Sequence, residues 1–371
     1  MNKWTYYNPV KIQYSDNYIQ SIAEYLRTFD KPLHTVLFCY KWFEKTEQFG
    51  RLINVINKPF VYSDIEENPS LTSCQQAINA VKNIGAELII AIGGGSVIDT
   101  AKVVRASLYK NEFDVNKVFD KAPVREKIPA LFAIPTTHGT GSEVTMWATV
   151  WDKEKKVKKS LAELENYPTL ALYDVSMVKN LPVKISVATT LDALSHAFEA
   201  IWNKNRNPVS TQYAIQAIKL IYENIDGIRD DTSYETRRNL LIASAYAGLA
   251  FSNTRTAAAH SISYPLTLKY NIPHGIACSI TLKSLFELNK VHLKSEIKSI
   301  LTALNISSMN HFWEKILKNI KMNIPYNLHE YGVPETDIPA IVSSSFQGDR
   351  IGNNIVTLNQ DIIKEIISSI Y

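Results

Sequence analysis

Four side chains in the second half of this sequence could close around one divalent metal ion. Asp192 and His196 stand four residues apart in a stretch without helix breakers, so both leave the same face of a predicted helix. His260 ends a run of small residues, and His274 follows in a predicted turn that could aim its imidazole at the first pair. Three imidazoles and one carboxylate, without a thiolate, suit Fe(II), Zn(II), Co(II), Ni(II) or Mn(II) and argue against a closed structural zinc site. Taken singly, each histidine has the alternative interpretation of an ordinary core or surface residue.

Two loops upstream could hold a dinucleotide. The first follows an apolar strand predicted over 88–92 and precedes a helix predicted from Val97. Its backbone N–H groups and the positive end of the helix would favour a diphosphate, although the glycine spacing is not that of G-x-G-x-x-G and a plain strand-to-helix turn is the alternative. A second apolar strand leads into the other loop. The candidate residues of the two loops are Gly93, Gly94, Gly95, Ser96, Thr136, Thr137, His138, Thr140 and Ser142.

The order of the elements predicts two domains. From residue 31 to about 178, short apolar runs alternate with helical stretches, as in a mostly parallel sheet wound with helices. After that point the patterns are helical, over 186–202, 209–225, 234–252, 278–290 and several further segments. We therefore predict a dinucleotide-binding α/β domain over 1–180 and a helical metal-binding domain over 181–371. A content of 46% hydrophobic and 20% charged residues is typical of such globular domains and argues against disorder.

Four motifs, in this order and spacing, resemble the iron-containing alcohol dehydrogenase family. They are GGGSVIDTAK at 93–102, PTTHGTGSE at 135–143, the D-x3-H of Asp192 and His196, and the H-x13-H of His260 and His274. The resemblance runs over 7–371 and implies a dehydroquinate synthase-like architecture. In that architecture a Rossmann-like α/β domain precedes an all-α domain, and the metal and the nicotinamide meet in the cleft between them.

The same resemblance implies a chemistry. It indicates a metal- and NAD(P)H-dependent oxidoreductase whose metal, Fe(II) or alternatively Zn(II), acts as a Lewis acid on a carbonyl oxygen while the nicotinamide supplies hydride. Asp192, His196, His260 and His274 would hold the metal. Asp99 matches an acid that lies on the nicotinamide side of the site in the family, and a plain helix-surface carboxylate is the alternative.

Two positions depart from the family pattern. Many members have an acidic residue at the end of the first sheet strand, where it can bind the adenosine ribose, but this chain has Tyr40 followed by Lys41. This difference slightly favours NADPH and leaves NADH open. Four residues after His260, where many members have a histidine that relays the alcohol proton, stands Tyr264. Because an unperturbed phenol has a pKa of about 10, we expect a water chain or the cofactor ribose to carry this proton.

A cation near the predicted metal site points to an anionic substrate. Arg255 stands five residues before His260, and its guanidinium offers paired donors for phosphate, phosphonate or carboxylate. Other residues that could add to the positive field are Lys204, Arg206, Lys269 and Arg350. The segments around these arginines resemble the phosphonoacetaldehyde reductase branch of the family. That resemblance implies reduction of phosphonoacetaldehyde to 2-hydroxyethylphosphonate, a step of phosphonate biosynthesis.

Other functions stay open at this point. A general primary-alcohol or diol dehydrogenase would have Arg255 outside the site and would act broadly on neutral aldehydes. A zinc-dependent polyol or glycerol phosphate dehydrogenase fits the two glycine-rich loops less well. The non-enzymatic alternative is a nucleotide-binding relative without turnover, but such a protein would gain nothing from four buried ligands that are costly without a metal.

Composition and charge exclude further classes. The formal net charge is +4 and the basic residues are scattered, apart from a run at 153–159 that we place on an exposed hairpin, so no nucleic-acid partner is expected. Three cysteines form neither a C-x-x-C pair nor an even disulfide framework. No leader opens the sequence, and no apolar stretch approaches the roughly 20 residues that a membrane span needs. We expect a cytoplasmic homo-oligomer, best a dimer, with the strand over 5–14 pairing either between subunits or within one chain.

Overall fold

The computed structural model describes residues 3–155 and 157–371 and divides the chain into two compact units. The α/β unit comprises 8–137 and 142–178, and the helical unit comprises 3–7, 138–141 and 179–371. The units therefore divide at 178/179, where the sequence analysis places a boundary at 180. Two short segments, 3–7 and 138–141, belong to the helical unit although they lie within the predicted first domain.

The strands of the α/β unit are β1 (Lys11–Tyr14), β2 (Thr35–Cys39), β3 (Phe60–Tyr62), β4 (Leu88–Gly93), β5 (Ala130–Pro135), β6 (Trp147–Asp152), β7 (Val157–Ala162) and β8 (Leu170–Tyr173). Six of them form a parallel sheet in the order β1-β8-β5-β4-β2-β3. The helices of this unit are α1 (Tyr18–Leu26), α2 (Glu47–Val55), α3 (Leu71–Val81), α4 (Gly95–Lys110) and α5 (Val115–Val118). Strands β6 and β7 form a separate antiparallel hairpin. The predicted strands and the parallel sheet are confirmed.

The central strands are apolar along their whole length because both faces of the sheet are covered. Every residue of β2 and β4 is buried. Successive side chains of a strand point to opposite faces, so Ile89 and Ala91 enter one hydrophobic core whereas Ile90 and Ile92 enter the other. This burial on two sides explains why the sequence shows continuous apolar runs instead of alternation.

Two predictions about the edges of the α/β unit have clear outcomes. The N-terminal strand β1 pairs in parallel with β8 of the same chain, with Ile12 opposite Ala171, so the pairing is within one chain. The basic run at 153–159 lies on the turn and second strand of the β6–β7 hairpin. Lys156 of this run lies outside the described residues.

The helical unit surrounds one long, almost completely buried helix. Its helices are α6 (Val183–Ile201), α7 (Pro208–Asn224), α8 (Tyr234–Thr254), α9 (Ala258–Tyr270), α10 (His274–Ser279), α11 (Leu282–Asn289), α12 (Lys294–Leu304), α13 (Met309–Asn323), α14 (Ile338–Ser345) and α15 (Gln360–Ser368). All positions of α6 from Thr190 to Ile201 are buried, because neighbouring helices cover it on every side. Polar side chains on α6 therefore face protein and not water.

The helix predicted over 278–290 is in fact two helices. The backbone N–H of Ile280 closes α10 on the carbonyl of Ile276, and that of Leu285 opens α11 on the carbonyl of Thr281.

Within the described residues, no helix combines the length and the hydropathy that crossing a membrane requires.

Candidate active site

The glycine turn between β4 and α4 is shaped for a close backbone approach. A Cβ on Gly93 would lie 2.2 Å from Cγ2 of Val97, so only glycine lets the strand end this close to the helix. Gly94 is the N-cap of α4 and contributes no side-chain cap, which leaves the first N–H groups of a 16-residue helix available to an anion. Gly95 and Ser96 form the first turn of this helix, which begins two residues earlier than predicted.

The second loop lies beside the first at the carboxyl ends of β4 and β5. The N–H of Thr136 donates to the carbonyl of Gly93 over 3.1 Å. Thr137 stands against Gly94, where an added Cβ would be 3.3 Å from its Oγ1. Ligands of open parallel sheets bind outside the carboxyl ends of the strands, so these two loops have the position that a diphosphate site requires.

Asp99 acts within the α/β unit as an anchor for the second loop. Its Oδ1 accepts a hydrogen bond from the hydroxyl of Ser142 at 2.6 Å, and its Oδ2 accepts one from the backbone N–H of Thr149 at 2.8 Å. The buried Lys102 ammonium donates to the carbonyls of Ser142 and Thr145 on the same loop and of Trp147 at the start of β6. Burial lowers the pKa of Lys102 to about 8. Both oxygens of Asp99 therefore already have protein partners.

His138 and Thr140 belong to the short segment 138–141, which is part of the helical unit. His138 is completely buried, its Nε2 is 3.0 Å from Oγ of Ser186, and its Nδ1 is 3.3 Å from Oγ1 of Thr190. Burial lowers its pKa to about 4. These contacts fix the ring on α6, and the predicted role of His138 beside the cofactor stays a prediction.

The end of β2 has no acidic residue. Tyr40 follows this strand, hydrogen-bonds with the side chain of Ser96, and has its pKa raised by burial. The ammonium of Lys41 pairs with Asp64, which follows β3, at 2.9 Å. The positive charge of Lys41 is therefore compensated by the carboxylate of Asp64.

Three elements of the helical unit bring the predicted metal ligands together. Asp192 and His196 project from the buried face of α6, His260 lies in the first turn of α9, and His274 opens α10. Gly275 allows the close approach of α10, since a Cβ there would be 1.9 Å from the carbonyl oxygen of Ala188 on α6.

The distances between these side chains suit one shared ion. Oδ1 of Asp192 is 3.6 Å from Nε2 of His260 and 3.9 Å from Nε2 of His196. Two donors about 2.1 Å from one ion at a tetrahedral angle lie roughly 3.4 Å apart. Both Oδ1 of Asp192 and Nε2 of His260 are buried without a hydrogen-bond partner, which is costly unless something binds them. The residues present therefore fit a divalent metal.

In two of the three imidazoles, those of His196 and His260, the Nδ1 atom is held by the protein. Nδ1 of His196 donates to the carbonyl of Gly139 at 3.2 Å, and the His196 ring stacks on Phe251 with centroids 4.1 Å apart. Nδ1 of His260 donates to Oε2 of Glu199 at 2.6 Å. In both cases this fixes the tautomer that leaves Nε2 free for a metal.

Glu199 is a residue that the sequence analysis missed. It is completely buried on α6, and the Coulombic attraction of His260 helps to lower its pKa against the opposing effect of burial. The sequence does contain a pattern that indicates Glu199, because positions 192, 196 and 199 are spaced to share one helical face. A buried carboxylate behind a ligand histidine is a common arrangement in metal sites.

Cys278 is the second residue that the sequence analysis missed. The donor atoms of Asp192, His260, His274 and Cys278 all lie within 4.8 Å of one another. Burial alone would raise the pKa of the Cys278 thiol, but the imidazoles of His260 and His274 outweigh it and lower the pKa to about 7. The prediction of a set without a thiolate therefore leaves out a sulfur atom that the fold places among the candidate ligands.

Arg255 occupies the link between α8 and α9 in an unusual backbone conformation. Its φ of 68° and ψ of 175° lie in a region used almost only by glycine. Its carbonyl accepts from Nδ2 of Asn203 at 3.1 Å, and its guanidinium pairs with Asp349 at 2.7 Å.

The other basic residues that the sequence analysis proposed divide into two groups. Arg206 pairs with Glu296 at 3.3 Å and Lys269 with Asp337 at 2.7 Å. The other two donate hydrogen bonds: Nζ of Lys204 to the carbonyl of Gly352, and Nη1 of Arg350 to Oγ1 of Thr256, which follows Arg255, each at 2.8 Å. Tyr264 lies one turn beyond His260 on α9 and is half-buried.

Comparison with known proteins agrees with this architecture. Residues 9–175 match the model of the iron-containing alcohol dehydrogenase family, and residues 186–371 match that of its C-terminal part. The chain is 31% identical to 4-hydroxybutyrate dehydrogenase of Clostridium kluyveri, over 79% of this chain and 82% of that protein. It is 29% identical to alcohol dehydrogenase 4 of Saccharomyces cerevisiae, over 84% and 83% of the two chains. The solved structure of sulfoacetaldehyde reductase from Bifidobacterium kashiwanohense in complex with NAD+ superimposes with a TM-score of 0.91 at 25% identity, covering 100% of this chain and 99% of that one.

The chain thus combines a six-stranded parallel sheet with a buried cluster of carboxylate and imidazole side chains. The chain belongs to the iron-containing alcohol dehydrogenase family, and the resemblance inferred from its motifs is confirmed. It is an NAD-dependent alcohol dehydrogenase or aldehyde reductase.

Proposed function

We propose that this protein reduces a small anionic aldehyde, with phosphonoacetaldehyde, giving 2-hydroxyethylphosphonate, as the best candidate. The observation that carries the proposal is the backbone of Arg255. A non-glycine residue in this conformation costs on the order of 1–3 kcal/mol, and such strain collects at ligand-binding sites. Arg255 lies in the short link that leads into α9, and α9 carries His260.

The surroundings of Arg255 support an anion site. Lys204 donates to the carbonyl of Gly352, and Arg350 donates to the hydroxyl of Thr256. Asp349 is the carboxylate that pairs with the Arg255 guanidinium. These three cations and one anion give a formal local charge of +2. The side chain of Asp349 is 65% exposed, so a substrate phosphonate could take its place on the guanidinium at little cost in buried charge.

Two of the relatives agree with this substrate class. Sulfoacetaldehyde and 4-hydroxybutyrate, after which those proteins are named, are both small molecules with an anionic group. The proposal for this chain is of the same chemical kind, with a phosphonate as the anion.

We further propose that Asp192, His196, His260 and His274 hold the catalytic metal, Fe(II) or Zn(II). When bound, the metal supplies Lewis acidity towards a carbonyl oxygen, and the nicotinamide supplies hydride. The chain itself orients these groups: Glu199 fixes the ring of His260, and Arg255 binds the substrate anion. The turn at 93–96, together with Thr136 and Thr137, offers N–H and hydroxyl groups to the diphosphate of the cofactor.

The proposed cofactor is NADPH or NADH. The absence of an acid at Tyr40 favours NADPH, since nothing at that position repels a 2′-phosphate. The pairing of Lys41 with Asp64 weakens this preference, because the ammonium is already compensated. The NAD+ in the sulfoacetaldehyde reductase structure supports NADH as the alternative.

One observation favours a second candidate function, a general primary-alcohol or diol dehydrogenase. The ion pair of Arg255 and Asp349 could be permanent, in which case the guanidinium is a structural group and the substrate pocket is neutral. Broad activity on neutral aldehydes would then be expected.

The experiment that separates the two functions compares substrates. Protein loaded anaerobically with Fe(II) is given phosphonoacetaldehyde or propanal at matched concentrations, and consumption of NADPH and of NADH is followed. A preference for the phosphonate of roughly a hundredfold in kcat/KM, about 2.7 kcal/mol, supports a dedicated anion contact. Equal activity on propanal contradicts it and supports the general dehydrogenase.

The contribution of Arg255 is tested by the Arg255→Ala variant. Hydrogen bonds to charged groups are worth about 1.5–3 kcal/mol, so we expect KM for phosphonoacetaldehyde to rise roughly 10- to 100-fold while KM for propanal stays nearly constant. Arg206→Ala is the matched control, because Arg206 already pairs with Glu296. Equal, small effects of Arg255→Ala on both substrates would remove the anion site.

A further inference from the structure

We infer that the Cys278 thiolate is an additional ligand of the metal ion. This inference rests on the proposed metal site and deepens it, since the family motifs contain only the aspartate and the three histidines. The sulfur would bind the same ion as His260 and His274.

The distances around the sulfur match shared coordination. Sγ of Cys278 lies 3.5 Å from Nε2 of His274. A nitrogen about 2.1 Å and a sulfur about 2.3 Å from one ion at a tetrahedral angle are roughly 3.6 Å apart. The donor atoms of Asp192, His260, His274 and Cys278 fit within a 4.8 Å span, as one ion requires.

The local structure holds the sulfur in this position. Cys278 follows His274 by four residues on α10, so the two side chains leave the same face one turn apart. Cys278 is completely buried, and α10 is held against α6 at Gly275. The thiol therefore has no access to solvent and little freedom to turn away.

Two buried polar atoms near the sulfur lack a hydrogen-bond partner, which independently indicates a bound ligand. Oδ1 of Asp192 and Nε2 of His260 are buried, have no hydrogen-bond partner, and lie 3.6 Å apart. A metal ion bound between them satisfies both atoms, and the sulfur of Cys278 lies within the same 4.8 Å group of donor atoms.

A thiolate ligand would change which metals the site prefers. Soft sulfur ligands favour Zn(II), Co(II) and Fe(II) over harder ions such as Mn(II) and Mg(II). Because the thiol must lose its proton on binding, metal uptake near neutral pH would release that proton to the buffer.

The test is the optical spectrum of the Co(II)-loaded protein. A Co(II)–thiolate bond gives an intense near-ultraviolet charge-transfer band, whereas Co(II) bound by nitrogen and oxygen alone gives only weak visible bands. We expect the intense band at one equivalent of Co(II) in the full chain and in the Cys74→Ser control, whose cysteine is equally buried but lies in the α/β unit. We expect Cys278→Ser to lose the band while still binding Co(II), with an affinity reduced about tenfold or more.

The spectrum of the unchanged protein decides whether Cys278 binds the metal. Weak visible bands without the intense band in the unchanged protein would show Co(II) held by nitrogen and oxygen only, which overturns the thiolate ligand and leaves the proposed metal site standing. Absence of Co(II) binding altogether would overturn both. The unchanged protein already distinguishes these outcomes. The thiolate ligand can therefore be disproved even if the Cys278→Ser variant does not fold.

Discussion

At the scale of single residues, the candidate metal site depends on the carboxylate that binds the far side of the His260 ring. The carboxylate of Glu199 accepts the Nδ1–H of His260 at 2.6 Å and also accepts from the His260 backbone N–H at 3.2 Å. This double contact sets both the tautomer and the orientation of the ring. We therefore propose Glu199 as a positioning residue, which would act on a bound metal through His260.

The Glu199→Gln variant tests this positioning role. The amide no longer offers an anionic acceptor to Nδ1–H, so we expect the affinity for Zn(II) or Fe(II) to fall roughly 10- to 100-fold. Competition with a chelator of known affinity measures this change. Glu223→Gln, on the partly exposed side of α7, is the matched control and should bind metal normally. An unchanged affinity in Glu199→Gln would mean that the carboxylate serves only the fold.

At the scale of elements, the N-terminus of α3 is held by a carboxylate outside the helix. Oε2 of Glu66 accepts from the backbone N–H of Ser70 at 3.1 Å and from its hydroxyl at 2.6 Å, and Oε1 pairs with Lys153 of the β6–β7 hairpin. Burial would raise the pKa of Glu66, but the hydrogen bonds of Lys153, Ser70 and Ser73 outweigh it and lower the pKa to about 2. The carboxylate joins the helix and the hairpin only while it is ionised.

This shift predicts a pH dependence of stability. The pKa of Glu66 is lower in the folded chain than its ordinary value of 4.5, so the unfolded chain takes up the proton first as the pH falls. The stabilisation is complete above pH 4.5 and is lost as the pH falls towards 2. We therefore expect Glu66→Gln to lower the free energy of unfolding at pH 6 and to have a shrinking effect at more acidic pH.

Urea unfolding of both proteins at several pH values between 3 and 6 measures this effect. Glu154→Gln, at an exposed position of the same hairpin, controls for the change of net charge. A destabilisation by Glu66→Gln that stayed constant over this range would show that the ionised state of the carboxylate does not matter.

At the scale of the whole molecule, the proposed chemistry is divided between two units with separate cores. The candidate metal ligands all belong to the helical unit, and the turn at 93–96 belongs to the α/β unit. A metal ion should therefore stabilise one unit directly. A ligand at 100 times its dissociation constant stabilises the state that binds it by about 2.7 kcal/mol.

Hydrogen exchange with and without metal tests this division. Saturation with Zn(II) should slow exchange in peptides from α6, α9 and α10, which carry the ligands, with little effect on peptides from β4 and α4. His260→Ala is the control, and in that variant the added metal should protect none of these peptides. Equal protection of β4 in the unchanged protein would contradict a site confined to the helical unit.

Much of this molecule was predictable because its signals are local in sequence. The strands of the sheet are continuous apolar runs, since both faces are buried, and such runs are visible without knowledge of their partners. The spacing of Asp192 and His196 places both on one helical face whatever surrounds the helix. The glycines at 93–95 mark a turn on their own, because a side chain at Gly93 would meet Val97 only four residues away.

What the sequence by itself determined is thus the order of elements, the family and the residues whose chemistry lies within one turn or one motif. Only the tertiary structure decided which distant groups meet. It placed Glu199 behind His260, Asp349 on Arg255 and the His138 ring against α6, and it placed the sulfur of Cys278 among ligands from three helices. Contacts of this kind join residues as distant in sequence as Lys204 and Gly352, which are 148 positions apart. Local periodicity carries no information over that range, because the meeting points depend on how buried helices pack and where glycines such as Gly275 let them approach.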